Sequence, residues 1–298
     1  MQNYIDLMKD VLENGFDSPD RTGVGSRKVL GRMLRFDLRQ GFPIITTRKV
    51  SLRIAFEETM FFLRGQSNTK LLEEKKINIW KGNTSREFLD NRGLTHLPEG
   101  DMGRGYGVQW RDWQSPRKID RLGVHMVDKT DQIKDLLEGL KRDPSGRRHV
   151  VTGWNPGELS QMALPPCHML HMYSVEGEFQ LNSDEGKLHN SFVMRSNDVP
   201  YGLPYNIMSY ALINHIFAKH LGLVPGELVY MGWDVHIYNN QMDMVKEQLQ
   251  RSPKALPQLI IKKDLPTLQD ILDLQWEDIE LIGYDPHPDI KNKPGMAV

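Results

Sequence analysis

Helical and strand patterns are interspersed along this chain with no regular βαβ alternation, an order that argues against a doubly wound parallel sheet. Tyr4, Leu7, Met8, Val11 and Leu12 recur at helical spacing and stop at Gly15, predicting a helix over 3–14. The Gly-rich stretch 18–27 reads as a loop, 29–38 as a strand or two, and 51–65 as a helix closed by Gly65. Another helix contains Ile133 to Leu140 and is stopped by the sequence DPSG; a strand follows in HVVTGWNP. Segments 171–181 and 188–196 read as strands around the polar turn SDEG, and so as a hairpin. Residues 205–222 place Ile207, Ala211, Leu212, Phe217 and Leu221 on a buried helix face that ends at Gly222. A strand over 227–238, a helix over 239–250, a strand over 258–263 and a Pro-rich irregular tail complete the pattern. No internal repeat, low-complexity linker or composition shift marks a boundary. The expectation is one α+β domain over residues 1–298, built on a large mixed sheet.

At 34.4 kDa, with 39% hydrophobic and 26% charged residues, the chain has the composition of a soluble globular protein with a sizeable core. Its net charge of −1 creates no global field for nucleic acid or an acidic membrane, although a phosphate site needs only a few local cations. One cysteine excludes an intramolecular disulfide framework and suggests a reducing compartment. The first residues, MQNYIDLMKDVLENG, are amphipathic and acidic, unlike a signal or transit peptide, and no apolar run approaches a membrane span. The expected location is cytoplasmic, either of a cell or of a phage-infected host.

The lone thiol, Cys167, sits in ALPPCHML, with Arg147 and Arg148 upstream and the pair Arg195–Ser196 downstream. Cationic neighbours favour a thiolate and so a nucleophile, whereas a single cysteine is more often a small buried hydrophobe. Arg21, Arg147, Arg148 and Arg195 stand in or beside turns and strand edges, where guanidinium groups hold phosphate bidentately or are simply solvated. His236 and Tyr238 are two apart on one expected strand, so both leave the same face and suit a sugar hydroxyl; a half-buried polar face would look the same. Glu58 lies in an apolar helix, where desolvation would fit it for acid–base work, but one of Glu57 and Glu58 is expected to point to water. Asn206 offers the donor and acceptor that would match uracil, or caps the helix that follows.

Taken together these segments resemble the thymidylate synthase family over nearly the whole chain. DRTGVGS (20–26) is similar to the family's phosphate loop, and EETMFFLRG to the helix whose catalytic glutamate falls on Glu58. NIW ends at Trp80, and YGVQWRDW, RRHVVTGWNP, MALPPCH, RSND, GLPYNIMSYAL, DVHIY and the terminal MAV follow in family order. The resemblance implies a mostly antiparallel sheet flanked by helices, and a homodimer with shared active sites. It implies that the Cys167 thiolate adds to C6 of dUMP, so that C5 attacks the methylene of 5,10-methylenetetrahydrofolate. Glu58 and ordered water would move protons, Tyr106 would assist at C5, and His168 would order water near O4. Arg21, Arg195 and Ser196 would bind the 5′-phosphate, with Arg147 and Arg148 supplied by the partner subunit. Asn206 would read the base and His236 and Tyr238 the 3′-hydroxyl. Trp80, Asp198 and Val298 would contact the folate, the last by closure of the tail. No metal is implied, and neither a membrane nor a nucleic acid is required.

Two departures bear on the reaction. The family has a glutamine immediately before its Arg–Ser pair, and this chain has Met194. The stretch MRSNDV instead resembles phage deoxycytidylate hydroxymethylases of the same superfamily, which quench the exocyclic methylene with water. Those enzymes carry Asp where this chain has the uracil-type Asn206. The favoured expectation is therefore a deoxyuridylate hydroxymethylase making 5-hydroxymethyl-dUMP for phage DNA modification, with Met194 among the catalytic determinants. The alternative is a thymidylate synthase making dTMP and dihydrofolate. A non-catalytic nucleotide- or RNA-binding homologue is disfavoured by the presence of Cys167, Glu58, Tyr106 and Asn206. Asn83 stands where bacterial synthases often have a second tryptophan, and the hairpin near 176–190 is longer than usual.

Overall fold

Burial alternates residue by residue along most of Lys187–Asp198, the signature of a strand with one face on the core. The computed structural model describes every residue except 21–22, 117–126, 178–185, 292–293 and 295–298. Its strands, in chain order, are β1 (Phe16–Ser18), β2 (Ser26–Asp37), β3 (Trp113–Pro116), β4 (Val127–Thr130), β5 (Val150–Thr152), β6 (His168–Glu176), β7 (Lys187–Asp198), β8 (Val224–Tyr238), β9 (Gln258–Ile261) and β10 (Ile279–Ile282). Six of them form one sheet in the order β1-β2-β8-β7-β6-β5, while β3 pairs with β4 and β9 with β10. Within the large sheet only β7 and β8 run parallel; the other neighbours are antiparallel. The sheet is thus mixed and mostly antiparallel, as expected.

The helices are α1 (Gln2–Asn14), α2 (Leu52–Leu63), α3 (Lys70–Glu73), α4 (Arg86–Asn91), α5 (Gly107–Arg111), α6 (Gln132–Arg142), α7 (Gly202–Leu221), α8 (Met242–Leu249) and α9 (Leu268–Leu272). Parallel neighbours cannot be joined by a tight turn, and α7 is the crossover between β7 and β8. It is buried almost all round, through Leu203, Ile207, Leu212, Ile216, Phe217 and Leu221 among others, between the sheet and α2. Gly222 ends it with φ 67°, a left-handed turn that glycine adopts without steric cost. The 239–250 segment divides into a 3₁₀ turn and α8, and the expected 171–181/188–196 hairpin is the β6–β7 pair, whose tip lies outside the described residues. β10 and the short helices α3, α4 and α5 had no clear sequence period. No helix among the described residues is long and apolar enough to cross a membrane.

The cross-strand register sorts side chains onto two faces. One face carries the row Met33, Met231, Val193, Leu170 and Thr152, each directly opposite the next across five strands. A second row on that face runs Arg35, Val229, Ser191, Met172 and Val150. Among the described residues nothing covers much of it: Met33 is 55%, Val150 44% and Trp233, further along β8, 63% exposed. The opposite face carries Tyr230, Phe192 and His171 under α7, then Asp234 and His236 toward one end.

A bulge connects the two faces. His168 pairs with Met194, and Leu170 with Val193, so two steps on β6 match one step on β7. Without that extra residue, His168 would share the parity of Leu170 and Met172 and face away from α7. The bulge turns His168 to the α7 side, where it meets Tyr210.

Where α5 crosses the end of α2, contact is close enough to demand glycine. A Cβ at Gly107 would lie 2.4 Å from the Phe62 carbonyl oxygen. Gly107→Ala should therefore destabilise the fold by about 1–3 kcal/mol through overpacking against backbone. Equilibrium urea unfolding measures this, and an unchanged midpoint would contradict the close approach.

Candidate active site

Cys167 follows Pro165 and Pro166, which have no N–H to give to a neighbouring strand. Their carbonyls are instead held by Arg195 on β7. Its Nη2 donates to Pro165 O at 2.9 Å and its Nε to Pro166 O at 3.0 Å. The Arg195 backbone N–H donates to Cys167 O at 2.9 Å, and Nη2 reaches to 3.8 Å from Cys167 Sγ. One arginine thus fixes the turn leading into β6 and places positive charge beside the sulfur. The Cys167 N–H donates to Tyr106 Oη at 2.9 Å, which ties the thiol segment to the start of α5.

Tyr106 has φ 35°, a left-handed value unusual for a residue with a Cβ and worth about 1–3 kcal/mol of strain. Packing holds it there. Its ring stacks on Phe62 at 4.9 Å and lies 4.4 Å from the His168 ring, with Trp80 edge-on at 5.6 Å. Burial, then the charge of Cys167, pushes its phenol well above the ordinary range, so it remains protonated.

Behind this aromatic group lies a small internal cavity lined by Glu58, His168, Asn206 and Tyr210. Glu58 is partly buried, and desolvation of its carboxyl raises its pKa to about 7, against the opposing bond from Trp80 Nε1 at 2.8 Å. It can therefore hold or release a proton near neutrality. His168 is lowered to about 3 by burial, so its imidazole is neutral; Nδ1 pairs with Tyr210 Oη at 2.7 Å. Glu57 corrects one expectation. It does not point to open water but is buried at 5% exposure and pairs with Lys75 Nζ at 2.5 Å. Asn206 does not cap α7, which starts four residues earlier at Gly202. Its Oδ1 instead accepts from Asn197 Nδ2 at 3.3 Å.

On the other side of Cys167 an open cleft of about 590 Å³ is lined by Arg195, Ser196, Asp198, Tyr201, His236 and Tyr238, among others. His236 and Tyr238 do leave one face of β8, with ring centroids 4.9 Å apart and nearly perpendicular. Asp198 accepts from Gln241 Nε2 at 2.9 Å and from the Tyr201 N–H at 3.2 Å, while burial raises its pKa. Tyr201 Oη donates to Pro294 O at 2.6 Å, which places Pro294 beside this wall of the cleft. Met194 is buried beside Cys167's neighbour, between His168 on β6 and Gly232 on β8, and brings no polar hydrogen to that wall.

One expected pair lies away from the cleft. Arg147 and Arg148 are exposed in the loop before β5 and border a separate depression of about 710 Å³ with Arg142 and His149. Within one chain they do not line the cleft of Cys167. Arg21 and Val298 lie outside the described residues. Sequence reasoning passed over Tyr210 and Asp234. Each had a signal: Tyr210 is one helical turn after Asn206, and Asp234 precedes His236 by two on the same strand face. Among the described residues no group of three or more His, Cys, Asp or Glu side chains could hold a metal ion.

A family model described as thymidylate synthase matches residues 2–297. The chain is 43% identical over 303 aligned residues to a bifunctional dihydrofolate reductase-thymidylate synthase from Leishmania major, covering 100% of this chain and 55% of that protein. It is 41% identical over 295 residues to the protein of the same description from Paramecium tetraurelia, covering 99% of this chain and 61% of that one. The chain thus spans between half and two thirds of the length of these relatives.

The Glu58 environment has a thermodynamic signature. Its pKa rises from 4.5 to about 7 on folding, so the folded state holds this proton more tightly. The associated stability is complete below pH 4.5 and disappears as pH rises through 7. Glu58→Gln has no such proton to lose. Its melting temperature should gain on that of the native protein as pH increases across this window, then keep a constant offset. Thermal denaturation at a series of pH values measures the difference, and parallel curves would contradict the assignment.

Proposed function

The chain belongs to the thymidylate synthase family, and we propose that its residues 1–298 act as one catalytic unit that adds a one-carbon group to C5 of dUMP. The observation that carries this reading is the arrangement around Cys167. A sulfur beside Arg195 opens onto the cleft, while Glu58, His168 and Asn206 gather immediately behind it. Cys167 would attack C6 of the pyrimidine, and Asn206 would present its amide to the base edge. Glu58, poised near pH 7, would exchange protons at the base carbonyl, with neutral His168 orienting water. Tyr106 Oη would take part at C5, held in place by the Cys167 N–H. Arg195 and Ser196, with Arg21, would hold the 5′-phosphate, and His236 and Tyr238 the 3′-hydroxyl. Trp80, Asp198 and the tail ending at Val298 would border the folate.

The family's one-carbon donor is 5,10-methylenetetrahydrofolate, which supplies the methylene and, in synthases, the hydride. The relatives' description as synthases supports dTMP and dihydrofolate as products. A second reading, formation of 5-hydroxymethyl-dUMP, rests on Met194: a thioether in place of an amide removes hydrogen bonds that would otherwise order this wall. The apolar sheet face supports a homodimer. Arg147 and Arg148 are exposed next to Val150 at that face, and in such a dimer they would reach a partner's cleft.

Three measurements test these assignments. With dUMP and methylenetetrahydrofolate, the synthase reading expects a product of dTMP mass and an equimolar rise in dihydrofolate absorbance at about 340 nm. Hydroxymethyl-dUMP without that rise would select the second reading. Cys167→Ala should abolish turnover while dUMP still binds, as seen by calorimetry, because phosphate and ribose contacts supply most ground-state affinity. Near-normal turnover would remove Cys167 as nucleophile. Mixing Cys167→Ala with Arg148→Ala chains should restore part of the activity, since one site of each heterodimer keeps both groups. No recovery from demonstrated heterodimers would place each site within one chain.

A further inference from the structure

The cleft holds a cation that the functions assigned above leave unused. Lys28 on β2 lies directly opposite His236 on β8 and lines the same cleft. It is 2.8 Å from Asp234 Oδ2, while His236 Nδ1 is 2.8 Å from Asp234 Oδ1. One carboxylate therefore bridges the lysine and the imidazole. We propose that Lys28 and Asp234 are positioning residues that fix His236 as a hydrogen-bond acceptor for the nucleotide's 3′-hydroxyl. The inference rests on the ribose assignment made above for His236 and Tyr238.

An ionised aspartate only accepts hydrogen bonds, so the His236 nitrogen facing it must carry the proton. That leaves Nε2 of the neutral ring as an acceptor, suited to a hydroxyl that donates. Asp234 alone could turn about its side chain or share its charge with another donor. Lys28 occupies the second oxygen and restricts that freedom. Its ammonium is itself placed by two neighbours, Asp234 and the Phe16 ring, whose centroid is 5.7 Å away. Phe16 pairs with Lys28 in the β1–β2 ladder, just as Lys28 pairs with His236. The sheet therefore sets ring, ammonium and imidazole in one row.

The charge balance also has a consequence for substrate binding. A nucleotide monophosphate brings an anion into this cleft, and an unbalanced aspartate on its wall would oppose it. Lys28 offsets Asp234 locally, so the charge of Arg195 is not needed for that balance. Replacing Lys28 by methionine keeps much of the apolar stem but leaves Asp234 with one partner.

The experiment compares dUMP with 2′,3′-dideoxy-UMP, which lacks only the 3′-hydroxyl, by binding to the native protein, Lys28→Met, Lys28→Arg and Asp234→Asn. The native protein should prefer dUMP. Lys28→Met and Asp234→Asn should lose most of that preference, weakening dUMP on the order of tenfold and the dideoxy compound much less. Lys28→Arg, which keeps the charge, should restore it. In turnover, the loss should fall on KM for dUMP more than on kcat. A native protein indifferent to the 3′-hydroxyl would overturn this proposal together with the ribose assignment. Preference for dUMP retained in both Lys28→Met and Asp234→Asn would overturn this proposal alone. Equal weakening of both nucleotides would also overturn it, by showing a general effect on the cleft.

Discussion

The parallel ladder between β7 and β8 is the constraint on which the site depends. It places Ser196 beside Asp234 and Asp198 beside His236, two strands' worth of polar groups in fixed register. Because the strands are parallel, the chain must return over the sheet, and α7 makes that return. The same helix carries Asn206 and Tyr210 to the cavity behind Cys167. Register and crossover are therefore one decision, and residues distant in sequence converge through it.

Desolvation then gives the assembled groups their chemical character. Glu58 and His168 line one small cavity, yet burial acts on them in opposite senses. It disfavours charge on both: the carboxyl keeps its proton up to about pH 7, while the imidazole does not gain one until about pH 3. A neutral ring next to a carboxyl that titrates near neutrality leaves proton movement to the latter. The packed rings of Phe62, Trp80 and Tyr106 contribute to that desolvation.

Much of this was legible in the sequence where a period or a terminal glycine spoke clearly. The stripe ending at Gly15, the run ending at Gly222 and the strand read over 188–196 all correspond to observed elements. Short helices such as α3 and α5 were not visible, because four or five residues are too few to display a helical period. The bulge at Met169 was equally hidden: an extra residue in a ladder appears only against its partner strand. Among the residues that the motif order singled out, Cys167, Arg195 and His236 line one cleft, while Asn206 lines the small cavity behind it. The side-chain environments of Glu57 and Asn206 depended on Lys75 and Asn197, partners that local spacing could not identify.

The pleat has a further consequence for variation in this chain. Val193 and Met194 are consecutive, yet one belongs to the uncovered apolar face and the other to the wall beside His168. The same division separates Met231 from Gly232. A strand therefore carries two interleaved texts, one read at odd steps and the other at even steps. Substitutions can revise one text while leaving its neighbour almost untouched. Single-residue insertion in such a strand has the opposite effect, exchanging the two texts from that point onward, and only where a bulge absorbs the step, as at Met169, are both kept readable.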